Sequence, residues 1–391
     1  MIMLEIRKKF DIYFSLVNDN RKQANVTYRL SDILFMILCG FLCGQSDIES
    51  ILDMFEERMS FITKHTEMTT LPHQKTINDI LKILNPTELS LCLCGIFKNV
   101  FNLNIEHYDN QICIDGKTIC STANMKAYNK PLHIVTAFLA DESLCIAQKA
   151  VDDKSNEIPA VRELIEIMNV KDHVITMDAM HCQKETAELI INNGGDYVLQ
   201  VKANQKNFYE DIKAMFDDKF MDIKDKDENY ETFMVLEQGH GRIERRTCYV
   251  LKDTAYFTDY IDSWKGLKKI FAVKREIETD GKKTKEISCY ISSKNVSAEQ
   301  LLTYTRKHWQ IESFHWLLDM DLGEDMCMVM DKNVQQILNI FKKQALSMVK
   351  RYIKDNGVKR TTIRSMMRKC AFNTERLEAV LSHFSYDVTK L

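Results

Sequence analysis

The chain has 391 residues, so two or three structural units are expected. Hydrophobic residues make up 45% of it, enough for a real core, and with 12 glycines and 4 prolines it is not collagen-like or broadly disordered. Formal charge is −3, from 53 basic against 56 acidic residues, so any nucleic-acid footprint must be clustered locally. Twelve scattered cysteines without a Cys-x-x-Cys argue against a zinc site or a secreted disulfide framework, and for buried thiols in a reducing cytoplasm. The charged start, Met1 to Lys9, does not read as a signal peptide, and the apolar run Ile33–Cys43 is too short to span a bilayer.

Residues 1 to about 105 read as all-helical. Ser31-Asp32 is expected to cap a helix over Ile33–Cys43, and Ser46-Asp47 to open another carrying Ile48, Ile51, Leu52 and Phe55. Further helices are expected over Gln74–Leu84 and over Thr87–Phe101, after Asn85-Pro86. The pattern then turns to strands: Gln111–Thr118, Leu132–Ala140 and, after the turn Asp141-Glu142-Ser143, Leu144–Val151. Asn156 and Pro159 begin a helix to Met168, and His173–Asp178 is a buried strand. Gln183–Asn193 is a helix stopped by Gly194-Gly195; Tyr197–Lys202 is a strand and Asn204–Phe216 a helix. An antiparallel meander followed by parallel strands on crossover helices is the RNase H-like arrangement, an α/β fold with a mixed five-stranded sheet.

The charged run Asp217–Glu228 reads as a surface loop. From about 228 to 294 the texture is that of a β-rich insertion, with strands over Thr232–Leu236, Arg245–Leu251, Phe271–Glu278 and Glu286–Ser292. Ser297 then caps one long helix that carries Glu312 and ends near Gly323; the tail to Leu391 is helical. The organisation is thus a helical domain over 1–105 and an α/β domain over 106–391.

Asp115 ends the first strand and Asp178 the fourth, which are neighbours in an RNase H-like sheet, and ligand sites form beyond such carboxyl ends. Glu312 is the third candidate, on a helix whose Thr305, His308, Glu312, His315 and Asp319 share one face. Three carboxylates repel one another unless a cation joins them, so the set predicts two Mg²⁺ ions, with Mn²⁺ able to substitute. Taken singly each acid has a bland reading: a turn residue, a helix cap, a solvated side chain. The case rests on all three together.

These residues resemble the H-repeat-associated insertion-sequence transposases, within the DDE group, over nearly the whole chain. Asp19-Asn20-Arg21-Lys22, Tyr28-Arg29-Leu30 and Leu71-Pro72-His73 are similar to the family's N-terminal associated domain. Ile114-Asp115-Gly116-Lys117-Thr118 resembles the first-Asp motif. Asp178-Ala179-Met180 with Cys182-Gln183-Lys184, followed by Gly194-Gly195-Asp196-Tyr197-Val198-Leu199, Lys202 and Asn204-Gln205, resembles the second. His240-Gly241-Arg242-Ile243-Glu244-Arg245-Arg246 is similar to the insertion motif, and His308-Trp309-Gln310-Ile311-Glu312 with His315-Trp316 to the glutamate helix. Related transposases with β-insertions carry Tyr, Arg and Lys around this glutamate; here Thr305, His308 and Asp319 take those places, so those roles do not carry over.

The resemblance implies cut-and-paste DNA transposition, with Asp115, Asp178 and Glu312 as catalytic and metal-binding residues. It implies double-stranded DNA partners (terminal repeats and target), a homodimer in the DNA complex, and a prokaryotic cytoplasmic, nucleoid-associated location. From Lys342 to Lys369 ten Lys or Arg face one acid, Asp355, which makes Lys342, Lys343, Lys350 and Arg351 candidate phosphate contacts. Lys117, Lys202, Gln205, Arg242, Arg245 and His308 are the other candidates, Lys117 having a structural salt bridge as its alternative. Trp309 and Trp316 are expected in the core. Two other readings are an RNase H-like nuclease without strand transfer and a catalytically silent DNA-binding remnant.

Overall fold

The computed structural model describes residues 2–22, 24, 26–100, 110–124, 131–151, 157–216, 230–239 and 241–384, those at 2–5, 9 and 97–100 by backbone alone. Asn156, the run Asp217–Glu228 and His240 lie outside the described residues. In chain order come α1 (Ile2–Phe14), α2 (Leu30–Leu42), α3 (Ile48–Glu56), α4 (Met59–His65), α5 (Gln74–Lys82) and α6 (Pro86–Val100). Then follow β1 (Gln111–Thr118), β2 (His133–Leu139), β3 (Leu144–Val151), α7 (Glu157–Ile167), β4 (Val174–Met177), α8 (Lys184–Asn192), β5 (Asp196–Val201) and α9 (Lys206–Met215). The insertion supplies β6 (Tyr230–Gly239), β7 (Arg242–Leu251), α10 (Thr258–Ser263), β8 (Lys269–Thr279) and β9 (Lys282–Ser292). The chain closes with α11 (Ala298–His308), α12 (Gln310–Leu322), α13 (Lys332–Asp355), α14 (Ile363–Phe372) and α15 (Thr374–His383).

The chain divides into two compact units built from discontinuous segments. One takes Met1–Ile105, Gly116–Glu157 and Glu312–Leu391; the other takes Glu106–Asp115 and Ile158–Ile311. Strand β1 is divided between them.

In the first unit β2 pairs antiparallel with β3 and neighbours β1. The long α13 packs against α2, α5, α6 and β3. All thirteen residues of α2 are buried. The helix begins at Leu30, after Arg29, so the expected Ser31-Asp32 cap sits inside the first turn instead. There the Asp32 carboxylate accepts the Glu67 backbone N–H at 3.0 Å and lies 3.7 Å from Arg7. Asp47 does cap α3, its carboxylate taking the Ser50 N–H while Ser50 reaches back.

In the second unit the strand order is β1-β4-β5-β9-β8-β7-β6. β1 and β5 flank β4 in parallel, and β9 joins β5 antiparallel through Val198↔Ser292 to Val201↔Cys289. The insertion is therefore no separate module: it continues the sheet beyond the five strands expected, and its strands are longer than the alternating stretches indicated. The register explains it, since hydrogen bonding along β8 and β9 runs unbroken from Lys269↔Ser292 to Thr279↔Lys282. Helix α11 lies across this sheet, its Ala298, Leu301, Leu302 and Tyr304 buried among Val174, Val198, Cys248, Val250, Phe271 and Val273.

The single glutamate-bearing helix expected is two helices. α11 ends at His308, the chain turns at Trp309, and α12 restarts at Gln310. Ten of the twelve cysteines are buried, and no helix among the described residues is long and apolar enough to cross a membrane.

Candidate active site

In the second unit, β1 and β4 run parallel with Ile114 opposite Met177. Asp178 directly follows β4, whereas Asp115, expected to end its strand, lies inside β1, which runs on to Thr118; as the residues next after the Ile114–Met177 pair, the two aspartates stand side by side. The apolar run before each, Ile112-Cys113-Ile114 and Val174–Met177, is buried and fixes the backbone. Asp115 is half-buried; the Asp178 side chain is 57% exposed and precedes a short 3₁₀ turn, Ala179–His181.

His308 closes this site from α11. Its Nε2 is 3.4 Å from Asp178 Oδ1 and its Nδ1 is 3.0 Å from Thr176 Oγ1. Burial works against a charged imidazole, but the hydrogen bonds to Asp178 and Cys113 prevail and push the ring up to about 10. In return the His308 hydrogen bond holds the Asp178 carboxyl below the ordinary aspartate value against the desolvation of burial, with Lys202 and His181 adding to the effect. Gln111 anchors the same helix, its amide donating to Thr176 Oγ1 at 2.9 Å and to the Tyr304 carbonyl at 2.8 Å.

The turn after Asp178 is braced from the far side. Asn204 donates to the Ala179 carbonyl at 2.7 Å, and Gln205 to the Cys182 carbonyl at 3.0 Å. Gln205 was expected on DNA, but its amide is committed to this brace. His308, also expected there, is 13% exposed and turned onto Asp178. Neither Thr176 nor Gln111 was singled out from the sequence, although both sit on the strands that carry the aspartates.

Lys202, Arg242 and Arg245 are exposed, as a phosphate contact requires. The insertion motif has a second role that the sequence reading missed: buried Glu244 gathers Arg246 at 2.6 Å, Arg242 at 3.4 Å and Arg275. Trp309, expected in the core, is 56% exposed.

In the first unit, Gly116 follows the first aspartate in sequence because a side chain there has no room. A Cβ would lie 2.6 Å from the Glu157 carboxyl carbon and closer still to His133. Those two residues form a buried pair, His133 Nε2 to Glu157 Oε2 at 2.8 Å, with His133 Nδ1 2.9 Å from Thr118 Oγ1. Gly116→Ala is therefore expected to lower stability by about 3 kcal/mol through overpacking and a displaced buried pair. A urea unfolding curve with a wild-type midpoint would refute it.

Lys117 is held by Asp319 and Glu324, with Asp325 at 3.8 Å. Burial opposes its charge, yet Glu324 and Asp319 raise its pKa, so the salt-bridge alternative describes it. Glu312 is exposed in the first turn of α12. Trp316, four residues on and also expected in the core, is 61% exposed.

Four of the DNA candidates sit on α13, and the structure corrects them. Lys342 and Lys343 are 1% and 2% exposed, Lys342 donating to the Gly323 carbonyl at 3.3 Å and Lys343 to Thr136 Oγ1 at 2.7 Å and Gln148 Oε1 at 2.9 Å. Arg351 is bound to Glu142 and Asp355, and Lys350 is half-buried. Lys342 and Lys343 are too deeply buried to reach a duplex, and the Arg351 charge is already neutralised. Among the described residues no group of three or more His, Cys, Asp or Glu side chains is arranged to hold a metal ion.

A sheet ordered β3-β2-β1-β4-β5, with an antiparallel β2–β3 pair, parallel β1, β4 and β5, and α7 and α8 leading into β4 and β5, is an RNase H-like α/β fold. The comparisons agree on the class. The family model for a transposase DDE domain matches residues 109–343, and the one described as DDE_Tnp_1-associated matches residues 12–95. The chain belongs to the DDE transposase family. Among its relatives is YhhI of Escherichia coli strain K12, named as an H repeat-associated transposase, 30% identical over 385 residues, 97% of this chain and 99% of that one. YncI of Escherichia coli O157:H7, also named as a transposase, is 33% identical over 381 residues, 95% of this chain and 94% of that one. A solved structure, the piggyBac transposase synaptic complex with hairpin DNA, aligns at a TM-score of 0.46 and 10% identity, covering 97% of this chain and 81% of that one.

Proposed function

We propose that this protein is a cut-and-paste DNA transposase: it hydrolyses phosphodiester bonds at the ends of its own element and joins the freed ends to target DNA. The observation that supports the reading is the β1–β4 register, in which Asp115 of β1 and Asp178 just past β4 follow the paired Ile114 and Met177. Family membership supports it.

Asp115, Asp178 and Glu312 are the acids we assign to the reaction, the last on its sequence motif. Asp178 offers a hard, ionised oxygen donor, half-open to solvent, and this suits Mg²⁺ or Mn²⁺. Two such ions, when bound, would activate the attacking oxygen and stabilise the leaving one. The His308 hydrogen bond favours the ionised form of Asp178 and orients its carboxylate. Lys202 is exposed and its charge acts on Asp178, which suits it to the role of a phosphate contact that we assign to it. In the first step water attacks phosphorus, the bond from phosphorus to the 3′ oxygen breaks, and that oxygen leaves as a 3′-hydroxyl. In the second the hydroxyl attacks a target phosphorus and displaces another 3′-hydroxyl. The DNA partners place the protein at the nucleoid, and we assign a homodimer to the DNA complex.

The test is to incubate the purified chain with Mg²⁺, DNA from the borders of its own gene and a supercoiled plasmid. Joined products are expected. Nicks without joining would make it a nuclease, and DNA binding without either a silent remnant.

A further inference from the structure

Helices α14 and α15 meet at Asn373, and beside that junction is a cleft of about 310 Å³ lined by Ser365, Arg368, Lys369, Phe372, Asn373 and Arg376. We propose that this cleft binds the sugar-phosphate backbone of double-stranded DNA. The proposal rests on the transposase reading and gives that function a contact surface the α13 lysines do not provide.

The sequence places ten basic residues between Lys342 and Lys369, and the fold sorts them. On α13, Lys342 and Lys343 are buried and Arg351 is ion-paired with Glu142 and Asp355, while exposed Lys354 donates to the Asp141 carbonyl at 3.2 Å. Those on α14 follow a helical rule. Met366, Met367 and Cys370 face the core, which leaves Ser365, Arg368, Lys369 and Phe372 on the outer face. Arg376 adds a third cation from the first turn of α15.

No acid lines the cleft. Carboxylates around it are already engaged: Asp321 with Arg364, Asp355 with Arg351 and His383, Glu378 with Lys64 and His65. Exposed Glu375 remains the one acid in the junction sequence Phe372–Arg376. Two of the three lining cations have partners, and both partners are neutral. Lys369 donates to Thr361 Oγ1 at 3.4 Å and Arg376 to Tyr352 Oη at 3.3 Å. Such bonds orient a charge without cancelling it, which is the state a phosphate site needs.

Phe372 supplies the second kind of contact. Its ring is 89% exposed, above every other exposed large hydrophobic side chain described. Cations beside an open aromatic ring match a duplex backbone, whose phosphates take the cations and whose deoxyribose gives the ring an apolar surface. A purely acidic protein partner would leave that ring unused.

The experiment is fluorescence anisotropy of the full chain with a labelled duplex over a series of salt concentrations. Each lost phosphate contact reduces the slope of log K against log salt by about 1. Arg368→Gln, Lys369→Gln and Arg376→Gln combined should therefore lower the slope by about 3. Phe372→Ala, which removes an apolar contact to the sugar and no charge, should weaken binding about fivefold with the slope kept. Thermal melting checks folding, and the single variant Arg368→Gln, at a slope loss of about 1, serves if the triple variant is unstable. An unchanged slope in a folded variant overturns the site, as does tighter binding of polyglutamate than of DNA by the same residues. Loss of joining activity with the slope change intact would remove the proposed reaction and leave this site standing. A wild-type chain that binds no duplex at all removes both.

Discussion

Asp178→Asn abolishes Mg²⁺-dependent cleavage of end DNA, by about a thousandfold or more, and leaves duplex binding and folding as they were. The magnitude follows from position. Changes to groups that only support a metal ligand already cost tenfold to a hundredfold, and loss of the anionic ligand itself costs more. Asparagine keeps the shape of the side chain, so the 3₁₀ turn at Ala179–His181 and its Asn204 brace are undisturbed. What is lost is one negative charge beside Asp115 and the anionic partner of His308. Asp115→Asn gives a similar loss. The measurement is single-turnover cleavage of a labelled end at fixed Mg²⁺, with anisotropy for binding and a melting curve for the fold. Normal cutting by Asp178→Asn would sink the assignment of this aspartate.

Much of this site was legible because strands announce themselves locally. The alternation and β-branched content of Gln111–Thr118 and His173–Asp178 mark both strands, with Asp178 at the end of one and Asp115 inside the other, and α7 before the second suits a parallel crossover. Helix α1 was legible too and was passed over: Ile6, Phe10, Tyr13, Phe14 and Val17 repeat at helical spacing and are buried. Other features depend on contacts remote in sequence. Nothing local marks His308 as the partner of Asp178, 130 residues away, or marks Trp309 as the end of a helix whose periodicity carries on past it. The insertion strands read correctly as strands, but their junction to β5 is a matter of edge pairing, which a single strand's pattern does not encode. The basic run at Lys342–Lys369 failed in a particular way. Charge density does not report exposure: Lys342 and Lys343 of α13 are buried, Lys343 against Thr136 of β2 and Gln148 of β3.

Below pH 6.5 the first unit is expected to lose stability through a single buried ring, His315. The residue is 7% exposed on α12, and burial lowers its pKa to about 3, with Lys343, Lys117 and His133 adding repulsion that Glu324 only partly offsets. The sign follows from proton counting. Between 6.5, the ordinary value that holds in the unfolded chain, and about 3, the unfolded state binds a proton that the folded state refuses. Stability is therefore complete above 6.5, falls as the pH drops through the window, and levels off below about 3. The loss from this ring approaches about 1.4 kcal/mol per pH unit, or about 1 kcal/mol between pH 6.5 and 5.5, where titration of the unfolded state is still under way. Glu324, whose pKa is lowered by Lys117 and Lys343 against burial, loses its contribution only further down, as carboxylates take up protons. The upper part of the window thus reports on histidine. His315→Gln removes the titrating group and keeps a polar side chain of similar reach. Urea midpoints for both proteins at pH 7.5, 6.5 and 5.5 should diverge on acidification, the variant declining less. Parallel lines would show that His315 takes up its proton in the folded chain as readily as in the unfolded one, and that the cations around it do not repel it.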